Sequence, residues 1–299
     1  MVFMWMAAGF ALRRARVPPR VFVGLTHFIV WVPLSAMIVR SMHAFAWDAS
    51  YWAPASAAWL VFAGSAALFA VLGRRRRWSA RVTGALVLTA GLSNTVFVGY
   101  ALLRALEGEG AVSIAVRADQ PGTFLLLMTL ALATASYYSM GRPDAGAVFK
   151  RLARFPPSWA LLAGLLSRGW EFSPALTAAL AAGGRILAPL ALISIGARLR
   201  FDPALIRRER EALAWGLGYK LVLAPAGIAL LFAGFFGRGG ETVRVAILES
   251  ALGPMIVAAT IVEENGLDAS LSSLMMGVGT PLCLITVTLW AKILDRFGI

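Results

Sequence analysis

Charge is scarce in this sequence. Asp, Glu, Lys and Arg make up 14% of its 299 residues, where a soluble domain carries about a quarter. With 59% hydrophobic residues and a mean hydropathy of +0.75, that shortage excludes a disordered chain and a soluble enzyme built around one core. Cysteine is nearly absent. Cys283 stands alone in an apolar run, which excludes a disulfide framework or a cysteine-based metal cluster within the monomer. Only His27 and His43 represent histidine, and neither belongs to a ligand-spaced motif. Gly-x-Ser-x-Gly, His-Glu-x-x-His and the Gly-rich Lys motif for phosphate are all missing, so neither an intramembrane hydrolase nor an ATP-driven pump is expected. No resident cofactor is expected either.

The formal charge is nevertheless +13, from 28 Lys and Arg against 15 Asp and Glu. A basic balance suggests nucleic acid or an anionic surface, but a soluble nucleic-acid binder cannot hide this much apolar sequence. A polytopic membrane protein accounts for both facts. Ten apolar segments run roughly 1–12, 21–42, 54–73, 82–104, 112–139, 157–172, 175–199, 212–237, 241–262 and 269–294. At about 1.5 Å per residue most of them can cross a hydrocarbon core of about 30 Å. The first and sixth are marginal. For the first, either partners assist or the natural start lies upstream of Met1. The expected organisation is one all-α membrane domain over 1–299, with a first five-helix half (1–140), a connection (141–156) and a second half (157–299).

Orientation follows from where the positive residues lie. Of the 28, 18 fall in alternate connections: Arg13, Arg14, Arg16 and Arg20; Arg74–Arg77 and Arg81; Arg142, Lys150, Arg151 and Arg154; Arg198, Arg200, Arg207, Arg208 and Arg210. The positive-inside bias places these loops in the cytoplasm and both termini on the outer, periplasmic side of a cell inner membrane. The connection with Glu263, Glu264 and Asp268 dissents, since it has no positive residue. The run Arg74–Arg77 reads as a topology determinant, because arginine is rich throughout the chain. Apolar residues followed by Arg13, Arg14 and Arg16 fit a signal-anchor with an outside N-terminus.

Five spans followed by five invert the second half, and landmarks recur at an offset near 155. Ala8-Gly9 before Arg13 matches Ala163-Gly164 before Arg168. Pro33-Leu34 matches Pro189-Leu190. Gly99 falls opposite Pro254, and Asn94 opposite Glu249. A 5+5 inverted repeat is therefore expected. Interrupted helices in corresponding positions point to a midplane site. Spans four and nine carry the interruptions, at Gly91-Leu92-Ser93-Asn94-Thr95 and Leu252-Gly253-Pro254. Proline frees backbone carbonyls that can meet a ligand. Asn94 and Thr95 can satisfy freed backbone groups or bind substrate. A simple kink or a packing contact is the alternative.

Charged residues at membrane depth cost about 2.5–3.5 kcal/mol each on insertion scales, so they face a cavity or one another. Asp119, Arg185, Lys220, Glu249 and Arg117 are the candidates. Asp119-Gln120-Pro121 sets a carboxylate beside carbonyls freed by proline, a grouping able to take up a proton or a sodium ion. Glu249 lies five residues before Pro254. Two readings stay open for these acids: ion coupling, or a buried pair with Lys220 that holds helices in register. For Arg185 and Lys220 the choice is between pairing with those acids and receiving an anionic substrate, with snorkelling to an interface a further option for Arg185. His27 reads as a packed or interfacial residue.

These residues carry a resemblance. The Pro33 span, Ser93-Asn94-Thr95 with Gly99, Asp119-Gln120 before Gly122, and Phe155-Pro156-Pro157 come first. Ala188-Pro189-Leu190-Ala191-Leu192-Ile193-Ser194-Ile195-Gly196, Lys220-Leu221 before Pro225, Glu249 before Pro254-Met255, and Thr280 follow in that order. The chain resembles the auxin efflux carrier family, whose bacterial members include carriers of malonate and other organic acids. Ala101 departs from the family, which often has proline there. The resemblance implies ten helices in two inverted halves, similar to bile-acid and sodium/proton transporters, with a scaffold set and a transport set in which helices four and nine cross at their breaks. It implies that Asn94 and the Pro254 break line the substrate site.

The function expected is secondary transport of a small organic anion, a malonate-like or auxin-like carboxylate, coupled to a proton or sodium ion. An uncoupled, potential-driven uniporter or a channel is the alternative. The substrate set is Ser93, Asn94, Thr95, Gly253, Pro254 and Arg185, and the ion-coupling set is Asp119, Gln120, Glu249 and Lys220. The partners are that anion and the lipid bilayer, with a homodimer left open and nucleic acid excluded.

Overall fold

Backbone in hydrocarbon has no water to satisfy it, so a long apolar run closes its own hydrogen bonds as a helix. The computed structural model describes residues 2–15, 17–44, 51–140, 146, 153–198, 203–237 and 239–299. Among the described residues the apolar segments are mainly helical, the sixth only as far as Leu166, and the only extended pairing is one isolated bridge. In chain order the helical runs are α1 (Val2–Arg14), α2 (19–43), α3 (Trp52–Arg76), α4 in two parts (Ala80–Gly91 and Thr95–Leu106) and α5 (Glu109–Met140). There follow α6 (Pro156–Leu166), α7 (Pro174–Arg198), α8 (Pro203–Phe235), α9 in two parts (Glu241–Ser250 and Ile256–Glu264) and α10 (Ala269–Phe297). Six are long and apolar enough to cross a bilayer: Arg20–His43, α3, α5, Pro174–Ser194, α8 and α10.

Local sequence explains the ends. Proline, whose missing N–H is no loss in a first turn, opens α2, α6, α7 and α8. Ser79 caps α4 by accepting the Val82 N–H at 3.2 Å, and Asp268 caps α10 through the Leu271 N–H at 2.9 Å. Arg77 closes α3 with a left-handed φ of 56°, a conformation costly for a side chain with Cβ. Of the basic loop residues, Arg16, Arg142, Lys150, Arg151, Arg200 and Arg238 lie outside the described residues.

The chain divides into two compact units. The first combines Met1–Trp47 with Phe149–Leu199, and the second combines Asp48–Val148 with Arg200–Ile299. In the first unit α1 and α7 touch backbone to backbone. A Cβ on Gly9 would stand 2.0 Å from the Ile193 carbonyl oxygen, and one on Gly196 would stand 1.9 Å from that of Met6. Gly164 of α6 gives α2 the same close approach, at Val39 and Met42. The Thr26 and Ser194 hydroxyls bond at 3.0 Å. His43 stacks on Phe172 with centroids 3.8 Å apart, while its Nδ1 lies 2.9 Å from the Ser167 carbonyl oxygen. His27 is exposed.

The second unit packs α3, α4, α5, α8, α9 and α10 around a core that includes Phe69, Leu86, Leu88 and Leu248. Polar side chains tie its helices by reaching carbonyls on their neighbours. Tyr219 donates to the Val61 carbonyl at 2.5 Å, Ser65 to that of Val87 at 3.1 Å, and Trp290 to that of Leu221 at 3.0 Å. At one end Arg244 joins three elements. It pairs with Glu107 at 2.7 Å and Asp295 at 2.7 Å, and donates to the Ile299 carbonyl at 2.6 Å.

Candidate functional site

Both interruptions expected in spans four and nine are present, and they meet. The α4 helix stops at Gly91 and resumes at Thr95, while α9 stops at Ser250 and resumes at Ile256. Leu92 and Met255 are extended, with φ/ψ of −108°/126° and −76°/134°. In α9 the cause is Pro254, which lacks an N–H and crowds the carbonyl one turn earlier. In α4 no proline is involved, and Ala101 lies on continuous helix beyond the break. There Ser93, Asn94 and Thr95 have short polar side chains that weaken a helix, and the opposite break takes up the released backbone groups. The Asn94 N–H donates to the Gly253 carbonyl at 2.9 Å, and the Met255 N–H to the Leu92 carbonyl at 3.1 Å. Ser93 and Pro254 thus face each other in an antiparallel bridge. Each break satisfies the other, which hydrocarbon alone cannot do.

Glycine permits the approach. A Cβ on Gly99 would meet Leu252 at 2.4 Å, and one on Gly279 of α10 would meet Pro254 at 2.9 Å. A Cβ on Gly253 would stand 3.2 Å from the Cys283 Sγ and 3.3 Å from Thr280 Cα and the Gly279 carbonyl oxygen.

Around this crossing the buried polar groups fall into two poles. At the cationic pole Lys220, 0% exposed, donates to the Ser93 hydroxyl at 2.5 Å, and its charge is felt by Cys283. It sits in a widened turn, Tyr219–Leu223, of the kind found at functional positions in helices. At the acidic pole Asp119 and Glu249 are both buried, 4% and 7% exposed, and near enough to influence each other. Asp119 accepts from the Tyr100 hydroxyl at 2.7 Å and neighbours Thr95 and Thr123. It too borders a widened turn, Gln120–Phe124. The pairing of Lys220 with Asp119 or Glu249, one of two readings open from the sequence, does not occur: the ammonium bonds to serine.

Unsatisfied groups concentrate here. Among the described residues both polar atoms of Asn94, the Thr95 hydroxyl, Asp119 Oδ1, Gln120 Oε1 and Glu249 Oε1 are buried with no hydrogen-bond partner. Buried polar atoms in proteins are nearly always paired, so each such atom asks for a ligand, an ion or water. Five of these are oxygens able to face a cation, and Asn94 also offers donors. No group of three His, Cys, Asp or Glu among the described residues is placed to hold a metal.

The structure thus gathers Ser93, Asn94, Thr95, Gly253, Pro254, Asp119, Gln120, Glu249 and Lys220 in the second unit. Arg185 belongs to the first unit and is exposed within it. Arg117 donates to the Tyr51 hydroxyl and lies 5.6 Å from its ring centroid, a local contact. Sequence reasoning did not single out Tyr100, Thr123 or the Ser93–Lys220 pair. A tyrosine within an apolar run needs a partner for its hydroxyl, which is the feature by which Tyr100 could have been found.

Comparison with known proteins agrees in kind. The model of a family described as membrane transport protein matches residues 142–291. An uncharacterized transporter of Methanothermobacter thermautotrophicus is 29% identical over 227 residues, 74% of this chain and 71% of the relative. An uncharacterized transporter of Methanocaldococcus jannaschii is 25% identical over 222 residues, 71% of this chain and 68% of the relative.

Proposed function

The chain belongs to the membrane transport protein family of auxin efflux carrier-like transporters, and from that premise we propose that it moves a small organic anion, a carboxylate, by alternating access. The observation that carries this reading is the crossing itself, a mutually bonded pair of helix breaks, one of them bonded to a buried lysine, with two buried acids in the same unit. The helices that resume at Thr95 and Ile256 turn their N-terminal amides, the positive ends of their dipoles, toward the crossing, which suits a carboxylate. Lys220, Ser93 and Asn94 receive the anion. Asp119, Glu249 and Gln120, with Thr95, take a proton or sodium ion.

A 5+5 inverted repeat in the cell inner membrane, with outer termini, underlies this mechanism. Its support is the make-up of the two units: each half of the chain gives its first two helices to one and its last three to the other. One unit serves as scaffold while the other carries the crossing. A second reading, uncoupled potential-driven uniport, is favoured by Lys220, a buried amine bonded to Ser93 and not to a carboxylate, which can receive an anion's charge.

Purified protein in liposomes, offered labelled mono- and dicarboxylates under imposed pH or sodium gradients, tests both. Coupled transport dissipates the gradient as the carboxylate moves, whereas uniport leaves it intact. Movement of only cationic or neutral solutes rules the anion out. Asp119→Asn keeps an acceptor for Tyr100 and removes the charge, so it abolishes gradient-driven uptake and spares exchange. Unchanged coupled uptake in that variant returns Asp119 to a structural role.

A further inference from the structure

A hydroxyl inside an apolar helix normally bonds to the carbonyl one turn back. Ser56, Thr89, Thr129, Ser250, Thr260 and Thr288 all do so in this chain, at 2.6–3.4 Å. Thr280 does not. The residue is 1% exposed, and among the described residues its buried hydroxyl has no partner. Thr280 lies one residue before Pro281, on the α10 face pressed against the α9 break, where its Cα and Cys283 Sγ crowd Gly253. Cys283 bonds to the Thr280 carbonyl at 3.1 Å and stands within the electrostatic reach of Lys220. Thr280, with its unpaired hydroxyl, and the Cys283 thiol thus lie against the glycine whose carbonyl holds Asn94, next to the break where Lys220 bonds Ser93.

We propose that the α10 face bearing Thr280 and Cys283 is a wall of the solute site, with the Thr280 hydroxyl bonding directly to the carboxylate held at the cationic pole. This rests on the transport reading above and adds α10 to a site otherwise drawn from α4, α5, α8 and α9. The chemistry is matched. A hydroxyl beside an ammonium stabilises an anion, and an unfilled buried hydroxyl gains most from a charged acceptor.

Two measurements on the reconstituted full chain test it, using a carboxylate shown to move in the liposome panel. Thr280→Val keeps shape and removes the hydroxyl, and it raises the half-saturating concentration about tenfold or more. Thr280→Ser recovers most of that loss, and the thermal unfolding midpoint of the valine variant stays near wild type. An unchanged half-saturation in Thr280→Val, or a loss matched by unfolding, removes Thr280 from the site.

The second measurement uses the chain's single thiol. Methyl methanethiosulfonate is attacked at its sulfenyl sulfur by the Cys283 thiolate. This leaves Cys283 as a methyl disulfide, releases methanesulfinate and gives the thiol proton to solvent. Modification blocks transport, the transported solute slows it, and Cys283→Ser loses nothing further on treatment. Cys283 is buried, so the reagent reaches it only if the site opens during transport. Absence of modification in the transporting protein, modification without inhibition, or modification without protection by solute places the α10 face outside the site. Protection is measured with whichever solute moves, organic cations and neutral compounds included. The wall is therefore tested even where the carboxylate assignment fails.

Discussion

Lys220 is the residue where the balance of forces is sharpest. Its ammonium lies wholly out of water, and its hydrogen bond goes to Ser93 rather than to a carboxylate. A hydrogen bond to a charged group contributes about 1.5–3 kcal/mol, and removing one partner leaves the other desolvated and unpaired. Ser93→Ala is therefore expected to cost about that much, read as a lowered unfolding midpoint in detergent. Lys220→Met removes the charge that needed the partner, so Ser93→Ala combined with Lys220→Met is expected to be more stable than Ser93→Ala alone. A Ser93→Ala variant as stable as wild type means the ammonium finds another acceptor. The sequence marked Lys220 and both acids because charges in apolar runs are costly. It left two partners open for them, and the choice fell to a third, a serine 127 positions away.

Among the elements, glycine decides how close helices come. The α1–α7 contact leaves no room for a side chain, since the atoms facing Gly9 and Gly196 are backbone and cannot rotate aside. Gly9→Leu or Gly196→Leu is expected to destabilise by about 3 kcal/mol or more, seen as loss of folded protein in fluorescence-detected size exclusion. Gly24 of α2 has open space around it, so Gly24→Ala is the matched control and should show no loss. Comparable behaviour of Gly24→Ala and Gly9→Leu contradicts this account. The broken helices make a related point. The α9 break was legible as Pro254, whereas the α4 break has no proline and depends on hydrogen bonds donated and accepted by residues some 160 positions along the chain.

For the whole molecule, the distribution of arginine makes the orientation testable. On a Cys283→Ser background, Arg75→Cys and Glu109→Cys put exposed thiols at opposite ends of α4. The positive-inside bias predicts that a membrane-impermeant maleimide added to intact cells reaches Glu109→Cys and leaves Arg75→Cys untouched. The reverse pattern inverts the proposed topology. The same bias says nothing about which helices group together. The two units draw on both ends of the chain, and no hydropathy profile encodes that grouping.

By itself, the sequence determined that this chain is helical and membrane-spanning, roughly where each helix runs, and which apolar runs carry charged residues. Those features follow from local composition and from the cost of leaving backbone or charge unsatisfied in hydrocarbon, and both can be read along the chain. Tertiary structure alone decided the partners. It paired Lys220 with Ser93, gave Asp119 the Tyr100 hydroxyl, left Arg185 exposed in the other unit, and brought Thr280 and Cys283 to Gly253. Partner choice depends on distances between segments far apart in sequence, and a one-dimensional pattern of apolar and polar residues does not carry those distances.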